Sequence, residues 1–251
     1  MLSLIVPYRH SKKVAERFKY FIESIDTQKK NLNLEIILAE YIDPYPGILP
    51  AYIKKVNVKP IKFFQGAPVF FHQSYINNVG ALASSGDILL FTNADVIFQA
   101  GILAYTEEIL KKQDLFVSFF VWYSTQELWL DIKNRKINIL KDFEYIVSKS
   151  EFNEQQAPRA AFQALRKTSF NKLGGYDVDM WGWGAEEYEF YIRASKVLKV
   201  YHSKKYKIVH LWHEPNWGPH HPKRGGVNGL NMKLVKHKNG IWRNPLTGDF
   251  K

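Results

Sequence analysis

The sequence predicts an α/β fold in one domain, with a mostly parallel, Rossmann-like sheet flanked by helices. Two observations lead to this prediction. Short, continuous apolar runs, typical of strands buried on both faces, alternate with longer segments whose apolar residues recur at helical spacing. The first three elements are a strand, a helix and a strand, which form a βαβ unit with parallel strands and a right-handed crossover.

The first half of the chain contains the clearest elements. The apolar run Leu2–Val6 is closed by Pro7, and a second run follows at Leu34–Ala39. Residues 43–50 contain three prolines and a glycine, which indicates a loop. The strands expected in this half are Leu2–Val6, Leu34–Ala39, Ile61–Phe64 and Ile88–Thr92, and the expected helices are Val14–Ile25 and Gln73–Ser84.

Beyond residue 100 the pattern is less regular. Helical spacing predicts a helix over Ile102–Lys111, and an aromatic run predicts a strand over Leu115–Tyr123. Residues 124–157 favour a helical or irregular segment. Two late strands are expected at Val197–Tyr201 and Lys207–Val209, and a short helix at Leu230–Lys236 in a tail rich in Pro, Gly, His and Lys.

Composition limits the function classes. The 251 residues are 46% hydrophobic and include no cysteine, which excludes disulfides and cysteine-ligated metals. No apolar run is long enough to span a membrane, so we expect a soluble protein. The net charge of +11 suits nucleic acid, an anionic membrane surface or anionic substrates, or is simply a solvated lysine-rich surface. Because the lysines are scattered and no nucleic-acid-binding motif is present, we expect no nucleic acid partner.

The segment 174–187 has the most unusual composition. It contains four glycines, two tryptophans and four carboxylates, and it leads into a helix that begins near Glu186 and Glu187. Glycines at this density favour a loop whose backbone approaches a ligand closely, and an indole such as Trp183 can stack on a sugar ring. One of the two glutamates could act as a general base. The alternative is an ordinary helix start with acidic residues placed at its dipole.

Polar residues follow three of the predicted strands. Asp95 comes after Ile88–Thr92, where ligands of open α/β sheets bind, and it could hold a hard cation or cap a turn. His210 and His213 follow a late strand. In an extended segment these two rings would point to opposite faces, so we expect only one to ligate a metal, with a hydrogen-bonded histidine as the alternative. Arg9, after the first strand, could meet a phosphate or be solvated.

Together these motifs resemble a known family. The segments Val6–Arg9, Phe71–Gly80, Phe91–Asp95 and Gly174–Glu187 are similar to those of the β-1,4-galactosyltransferase and chondroitin-synthase group, and more broadly to inverting family 2 glycosyltransferases of the GT-A fold. The segment His210–Glu214 resembles the one that supplies a metal-binding histidine in chondroitin-type N-acetylgalactosaminyltransferases. The matching segments occur in the family's order from residue 4 to about residue 215.

The resemblance implies a metal-dependent inverting transfer of a hexose or N-acetylhexosamine from a UDP-sugar to a hydroxyl of a glycan or glycolipid acceptor. It implies a single domain, 1–251, with a nucleotide-binding half (1–98), an acceptor and catalytic half (99–215) and a tail (216–251). Mn²⁺ or Mg²⁺ would be bound by Asp95 and His210, with His213 as the competing ligand. Glu187 would be the base and Glu186 its acidic neighbour. Residues expected to bind the nucleotide sugar are Pro7, Tyr8, Arg9, Glu40, Gln73, Asn78, Asn93, Ala94, Trp183 and Gly184.

Three positions depart from the family pattern. Asn93 replaces the first aspartate of the Asp-x-Asp motif, Gln73 stands where galactosyltransferases have an arginine, and Glu187 replaces an aspartate. Asn93 motivates a rival function, a non-catalytic carbohydrate-binding protein on a degenerate transferase scaffold. The lack of cysteines and of a membrane anchor favours a cytoplasmic location, with peripheral contact at the inner face of an anionic membrane.

Overall fold

The computed structural model describes residues 1–9, 11–28, 32–41, 58–63, 72–154, 161–180 and 184–214, and the fold is given for these residues. Their strands join in one nine-stranded sheet. The elements in chain order are β1 (Leu2–Arg9), α1 (Lys12–Asp26), β2 (Leu34–Tyr41), β3 (Val58–Phe63), α2 (Gln73–Ala83), β4 (Ile88–Thr92), β5 (Val96–Phe98), α3 (Ile102–Lys112), β6 (Leu115–Tyr123), α4 (Gln126–Lys133), α5 (Phe143–Ser148), β7 (Glu151–Phe152), β8 (Phe162–Arg166), α6 (Lys167–Leu173), α7 (Glu186–Ser195) and β9 (Lys199–His210).

The sheet has a parallel half and a mixed half. Its order is β3-β2-β1-β4-β8-β6-β9-β5, and β7 pairs with β6 outside this path. The first four strands in this order, β3, β2, β1 and β4, are parallel to one another. Strand β8 is antiparallel to both β4 and β6, and β5 is antiparallel to β9. The predicted α/β fold with a parallel, Rossmann-like part is confirmed, and the complete sheet is mixed.

Helices cover both faces of the sheet. Helices α1 and α3 pack on one face, where Phe18, Phe21 and Leu103 join the inward side chains of β1 and β4. Helices α6 and α7 pack on the other face, where Phe170 and Phe190 contact Phe91. A smaller apolar cluster lies under α4 and α5. Burial on both faces explains why the central strands are continuous apolar runs.

Several elements differ from the sequence prediction. The two late strands form one 12-residue strand, β9, that begins at Lys199, and Val197 lies outside it with 69% of its surface exposed. Strands β5 and β8 and helix α6 were not predicted, because three-residue and five-residue strands leave little periodicity to detect. The segment 124–157 contains α4, α5 and β7. The predicted loop 43–50, Phe64 and the helix Leu230–Lys236 lie outside the described residues.

Across the described ranges, no helix is long and apolar enough to cross a membrane. The longest of them, α1, has 15 residues, which is shorter than a bilayer-spanning helix requires.

Candidate active site

Four strands end at the same edge of the sheet. Strands β1 and β4 are parallel neighbours, and so are β6 and β9. Because β8 is antiparallel to both β4 and β6, these two strands also run in the same direction. The residues that follow β1, β4, β6 and β9 therefore meet at one carboxyl edge, which is where ligands of α/β sheets bind.

Asp95 and two histidines converge at this edge. His210 Nε2 lies 3.4 Å from Asp95 Oδ1, and His213 Nε2 lies 3.4 Å from Asp95 Oδ2. The main chain fixes this arrangement, because Val96 pairs with His210 and the Leu211 amide donates to the Asp95 carbonyl at 2.8 Å.

The two histidine rings do not point to opposite faces, as an extended chain would require. The chain leaves the strand after His210, and the Trp212 amide donates to Ser124 Oγ at 2.7 Å. His213 lies close to Asp95 in this arrangement, and the two imidazole centroids are 5.2 Å apart. Both histidines are therefore available as ligands, whereas the sequence analysis expected one.

The cluster of Asp95, His210 and His213 fits a divalent cation. One ligand atom from each residue lies within 4.8 Å of the others, and the three side chains are between 17% and 31% exposed. Burial lowers the pKa of His210, although Asp95 opposes this effect, so the neutral ligand form is favoured. Two imidazoles and one carboxylate suit Mn²⁺ better than Mg²⁺, which prefers oxygen ligands.

Arg17, on α1, also belongs to this site and was not predicted. Its Nε lies 3.7 Å from Asp95 Oδ2, and the side chain is 9% exposed. Burial lowers the pKa of the guanidinium, and Asp95 partly offsets the effect. No sequence signal marked Arg17, because a single cation on an amphipathic helix usually faces solvent.

The glycine-rich loop lies on the opposite face, near α2 and α7. Asn78 holds its backbone: the Tyr176 amide donates to Asn78 Oδ1, and Asn78 Nδ2 donates to the Tyr176 carbonyl, both at 2.8 Å. A Cβ on Gly175 would lie 2.5 Å from Asn78 Oδ1, and the residue has a φ of +77°. Asn78 is 3% exposed and is committed to this loop. These contacts give Asn78 a structural role, and its binding of the nucleotide sugar stays a prediction.

A buried ion pair on α7 holds the same loop from the other side. Arg193 donates to the carbonyls of Leu173 and Gly175, each at 2.8 Å. Its guanidinium also contacts the Glu189 carboxylate, with Nη2 to Oε2 at 2.7 Å. The pair satisfies two loop carbonyls that would otherwise be buried without donors.

Gln163, on β8, connects the loop and α7 to the sheet. Tyr176 Oη donates to Gln163 Oε1 at 2.7 Å, and Gln163 Nε2 donates to the Glu187 carbonyl at 2.9 Å. Gln163 pairs in register with Phe91 on β4. Since Phe91 precedes Asp95 by four residues, at most about 14 Å of chain separates the strand position beside Gln163 from Asp95.

Helix α7 begins with the two predicted carboxylates. Gly184 and Ala185 precede it with φ angles of +108° and +71°, and the alanine is strained in this left-handed region. Glu186 is 3% exposed, and its Oε2 has no hydrogen-bond partner among the described residues. Burial raises the pKa of Glu186 to about 7, against the lowering effect of backbone amides. Gln73 Nε2 lies 3.5 Å from Glu187 Oε1, so a predicted donor-binding residue contacts the predicted base.

The remaining predicted residues lie at or below the carboxyl edge. Tyr8 has no exposed surface and packs on Phe18 at a centroid distance of 5.0 Å, so its ring belongs to the core, and its contact with the nucleotide stays a prediction. Glu40 pairs in register with Tyr8 and is 3% exposed. Pro7 and Ala94 are buried, Asn93 is partly exposed and Arg9 is exposed. Trp183 lies outside the described residues.

Comparison with known proteins decides the family. The sequence profile described as "Glycosyltransferase like family 2" matches residues 3–219, which includes both the Asp95 cluster and α7. The chain belongs to this glycosyltransferase family. The match is to the family as a whole and does not reach the galactosyltransferase and chondroitin-synthase group. No curated protein matches the chain.

The fold of this glycosyltransferase also occurs in a solved structure. It is similar to the crystal structure of GalNAc-T7 with UDP, GalNAc and Mn²⁺, with a TM-score of 0.61 and 14% sequence identity. The similarity covers 94% of this chain and 48% of the other, so this chain spans about half the length of that protein. At this identity the comparison supports the GT-A fold and not a particular substrate.

Proposed function

We propose that this glycosyltransferase is metal-dependent and inverting, and that it moves a hexose or N-acetylhexosamine from a UDP-sugar to a hydroxyl group of a glycan or glycolipid. The observation that carries the proposal is the cluster of Asp95, His210 and His213 at the carboxyl edge of the sheet. At the same edge, Gln163 hydrogen-bonds to the main chain of Glu187 at the start of α7. The first three groups suit a cation, and the carboxylates on α7 suit proton transfer.

The donor end of the reaction lies at the strand ends. Asp95 and the histidines would hold Mn²⁺, or less favourably Mg²⁺, which when bound neutralises the diphosphate and makes it a better leaving group. We propose that residues 1–98 form the nucleotide-binding half, with Arg9 and Asn93 exposed toward the nucleotide, and that residues 99–215 form the acceptor and catalytic half. The UDP and GalNAc of the GalNAc-T7 structure support a donor of this class.

The acceptor end lies at the start of α7. The carboxylate of Glu187 takes the proton from the acceptor hydroxyl as its oxygen forms a bond to the anomeric carbon. The bond from that carbon to the diphosphate breaks on the opposite side, so the configuration inverts. Gln73 orients Glu187 through its amide, and we assign to Glu186, whose Oε2 has no hydrogen-bond partner among the described residues, the contact with the acceptor. The binding of the sugars by Trp183 and Gly184 is kept from the sequence as part of this proposal.

The net charge of +11 gives the site a second means of attracting its substrates. A positive field raises the local concentration of anionic nucleotide sugars, and it would also favour peripheral contact with an anionic membrane that carries a glycolipid acceptor.

A panel of UDP-sugars tests this function. Released UDP is measured with Mn²⁺, with Mg²⁺ and with a chelator, and the anomeric configuration of the product is read by NMR. We expect metal-dependent release that is fastest with Mn²⁺ and a product of inverted configuration. Sugar binding without release of UDP would favour the carbohydrate-binding alternative, and a retained configuration would contradict the assigned role of Glu187.

A further inference from the structure

Arg17 is a buried cation beside the carboxylate that is expected to bind metal. Its Nε lies 3.7 Å from Asp95 Oδ2, the same oxygen that His213 approaches at 3.4 Å. This distance is too long for a hydrogen bond, and the buried Nε has no hydrogen-bond partner in the described part of the chain. A charged group without a hydrogen bond is costly to bury. Among the described residues, this Nε therefore remains a donor that a bound anion could use.

The charges of the cluster cancel before any ligand is added. Asp95 carries one negative charge, Arg17 carries one positive charge, and imidazoles that bind metal are neutral. A divalent cation that enters alone adds two uncompensated positive charges next to a buried guanidinium. A nucleoside diphosphate removes this repulsion, because its oxygens carry several negative charges and can contact both cations.

We propose that Arg17 is a positioning residue that couples divalent-metal binding to nucleoside diphosphate binding. Without nucleotide, its guanidinium occupies the metal-facing side of Asp95 and weakens metal binding. With nucleotide, the guanidinium binds the diphosphate and the metal site forms fully. Because such coupling is reciprocal, the metal strengthens nucleotide binding by the same factor. This inference rests on the proposed function, since it concerns the same metal and the same class of ligand.

The test measures binding without turnover. Free Mn²⁺ is followed by electron paramagnetic resonance in titrations of the full chain, with and without UDP, and the Mn²⁺–UDP complex in buffer is measured separately and subtracted. The variants are Arg17→Met, which removes the charge, and Arg17→Lys, which keeps it. Lys13→Met is the matched control, because Lys13 is on the same helix but pairs with Glu214 at 2.9 Å instead of with Asp95. Circular dichroism checks that each variant is folded.

We expect UDP to tighten Mn²⁺ binding by at least about fivefold in the wild type. Arg17→Met should bind Mn²⁺ more tightly than the wild type when UDP is absent and should show a smaller tightening by UDP, because only the direct attraction between metal and diphosphate remains. Arg17→Lys should keep most of this tightening, and Lys13→Met should behave as the wild type.

Two results separate the inference from the proposed function. If Asp95→Ala abolishes Mn²⁺ binding but Arg17→Met keeps the full effect of UDP, or binds Mn²⁺ more weakly without UDP, the role of Arg17 is wrong and the metal site stands. If the wild type binds no Mn²⁺ even with UDP, both the inference and the metal dependence of the proposed function are wrong.

Discussion

The two halves of the active site are held in different ways. The metal half, formed by Asp95, His210 and His213, is held by main-chain pairing between β5 and β9 and remains partly exposed. The carboxylate half lies at the start of α7. Side chains on α2, on β8 and on α7 itself hydrogen-bond to the main chain of the loop and of the first turn of α7. The first half is thus part of the sheet, whereas the second depends on tertiary contacts and includes backbone in left-handed conformations. The metal half should therefore tolerate substitutions around it that the carboxylate half does not.

Removing Asp95 should have the largest effect on activity. Asp95→Ala removes the only carboxylate of the described metal cluster, and we expect UDP release to fall by about a thousandfold. The backbone pairing around position 95 should persist, but the buried Arg17 loses the carboxylate that faces it, so the variant should also lose some stability and its folding is checked by urea denaturation. Asp87→Ala is the control, since the Asp87 side chain is 93% exposed. Near-normal turnover in Asp95→Ala would remove the metal from the mechanism.

Replacing the proposed base should have the next largest effect. Glu187→Gln keeps the contact with Gln73 but cannot accept a proton, so we expect turnover to fall by about a hundredfold or more. Glu186→Gln should reduce turnover less, mainly by raising the KM for the acceptor. Steady-state kinetics of both variants decide between them. The reverse ranking would make Glu186 the base, with an activity limb near its pKa of about 7.

Alanine substitutions at two glycines test how tightly the glycine-rich loop of the carboxylate half is packed. Gly175 and Gly101 both have left-handed φ angles, but a Cβ on Gly175 would lie 2.5 Å from Asn78 Oδ1, whereas a Cβ on Gly101 would lie 3.4 Å from Tyr206. Both alanine variants should lose stability through backbone strain. We expect Gly175→Ala to lose about 1–3 kcal/mol more, because it also overpacks the clamp. Urea denaturation measures the difference. Equal losses of unfolding free energy would show that the Asn78 side chain can move aside at little cost.

The pH dependence of stability should reveal the burial of Glu186. Its pKa is about 7 in the folded protein against an ordinary value of 4.5, so between these values the unfolded chain has released a proton that the folded protein still holds. Stability from this group is therefore full below pH 4.5, falls as the pH rises to about 7 and changes no further above it. The slope should approach about 1.4 kcal/mol per pH unit.

Glu186→Gln removes this titration and provides the comparison. Unfolding free energies from urea titrations between pH 5 and pH 8 should fall more steeply for the wild type than for the variant up to pH 7, and in parallel above it. Identical slopes for the two proteins below pH 7 would mean that Glu186 is ionised in the fold, and its burial would then need a cation partner.

The sequence predicted the parts of the fold that have strong local patterns. The strands β1, β2, β4 and β6 are continuous apolar or aromatic runs, and α1, α2 and α3 have helical spacing, so each was visible without tertiary context. Strand β9 was divided in two because Ser203, Lys204 and Lys205 interrupt its apolar residues. Strand β5 has only three residues and could not show a period.

The sequence indicated several residues of the candidate site but little of its geometry. Asp95 and the glutamates stood out because they follow a buried strand and a glycine-rich segment. The convergence of His210 with His213 depends on the path of the chain after β9, where the Trp212 amide donates to Ser124. These two residues are 88 positions apart in sequence. Arg17 and the structural role of Asn78 also arise from contacts between distant segments, and residue type alone cannot indicate such contacts.

Gln163 gives one consequence for how such a site can change. Its amide uses one end to bind Tyr176 and the other to bind the main chain of Glu187, so it acts as a spacer between β8 and the first turn of α7. In the proposed reaction, the distance between the metal cluster and Glu187 thus depends in part on the length of this side chain, together with the contacts of Asn78 and Arg193. Replacing Gln163 by a shorter residue would therefore change the space available to an acceptor in the proposed site. It would alter neither the residues of the metal cluster nor the carboxylates of α7.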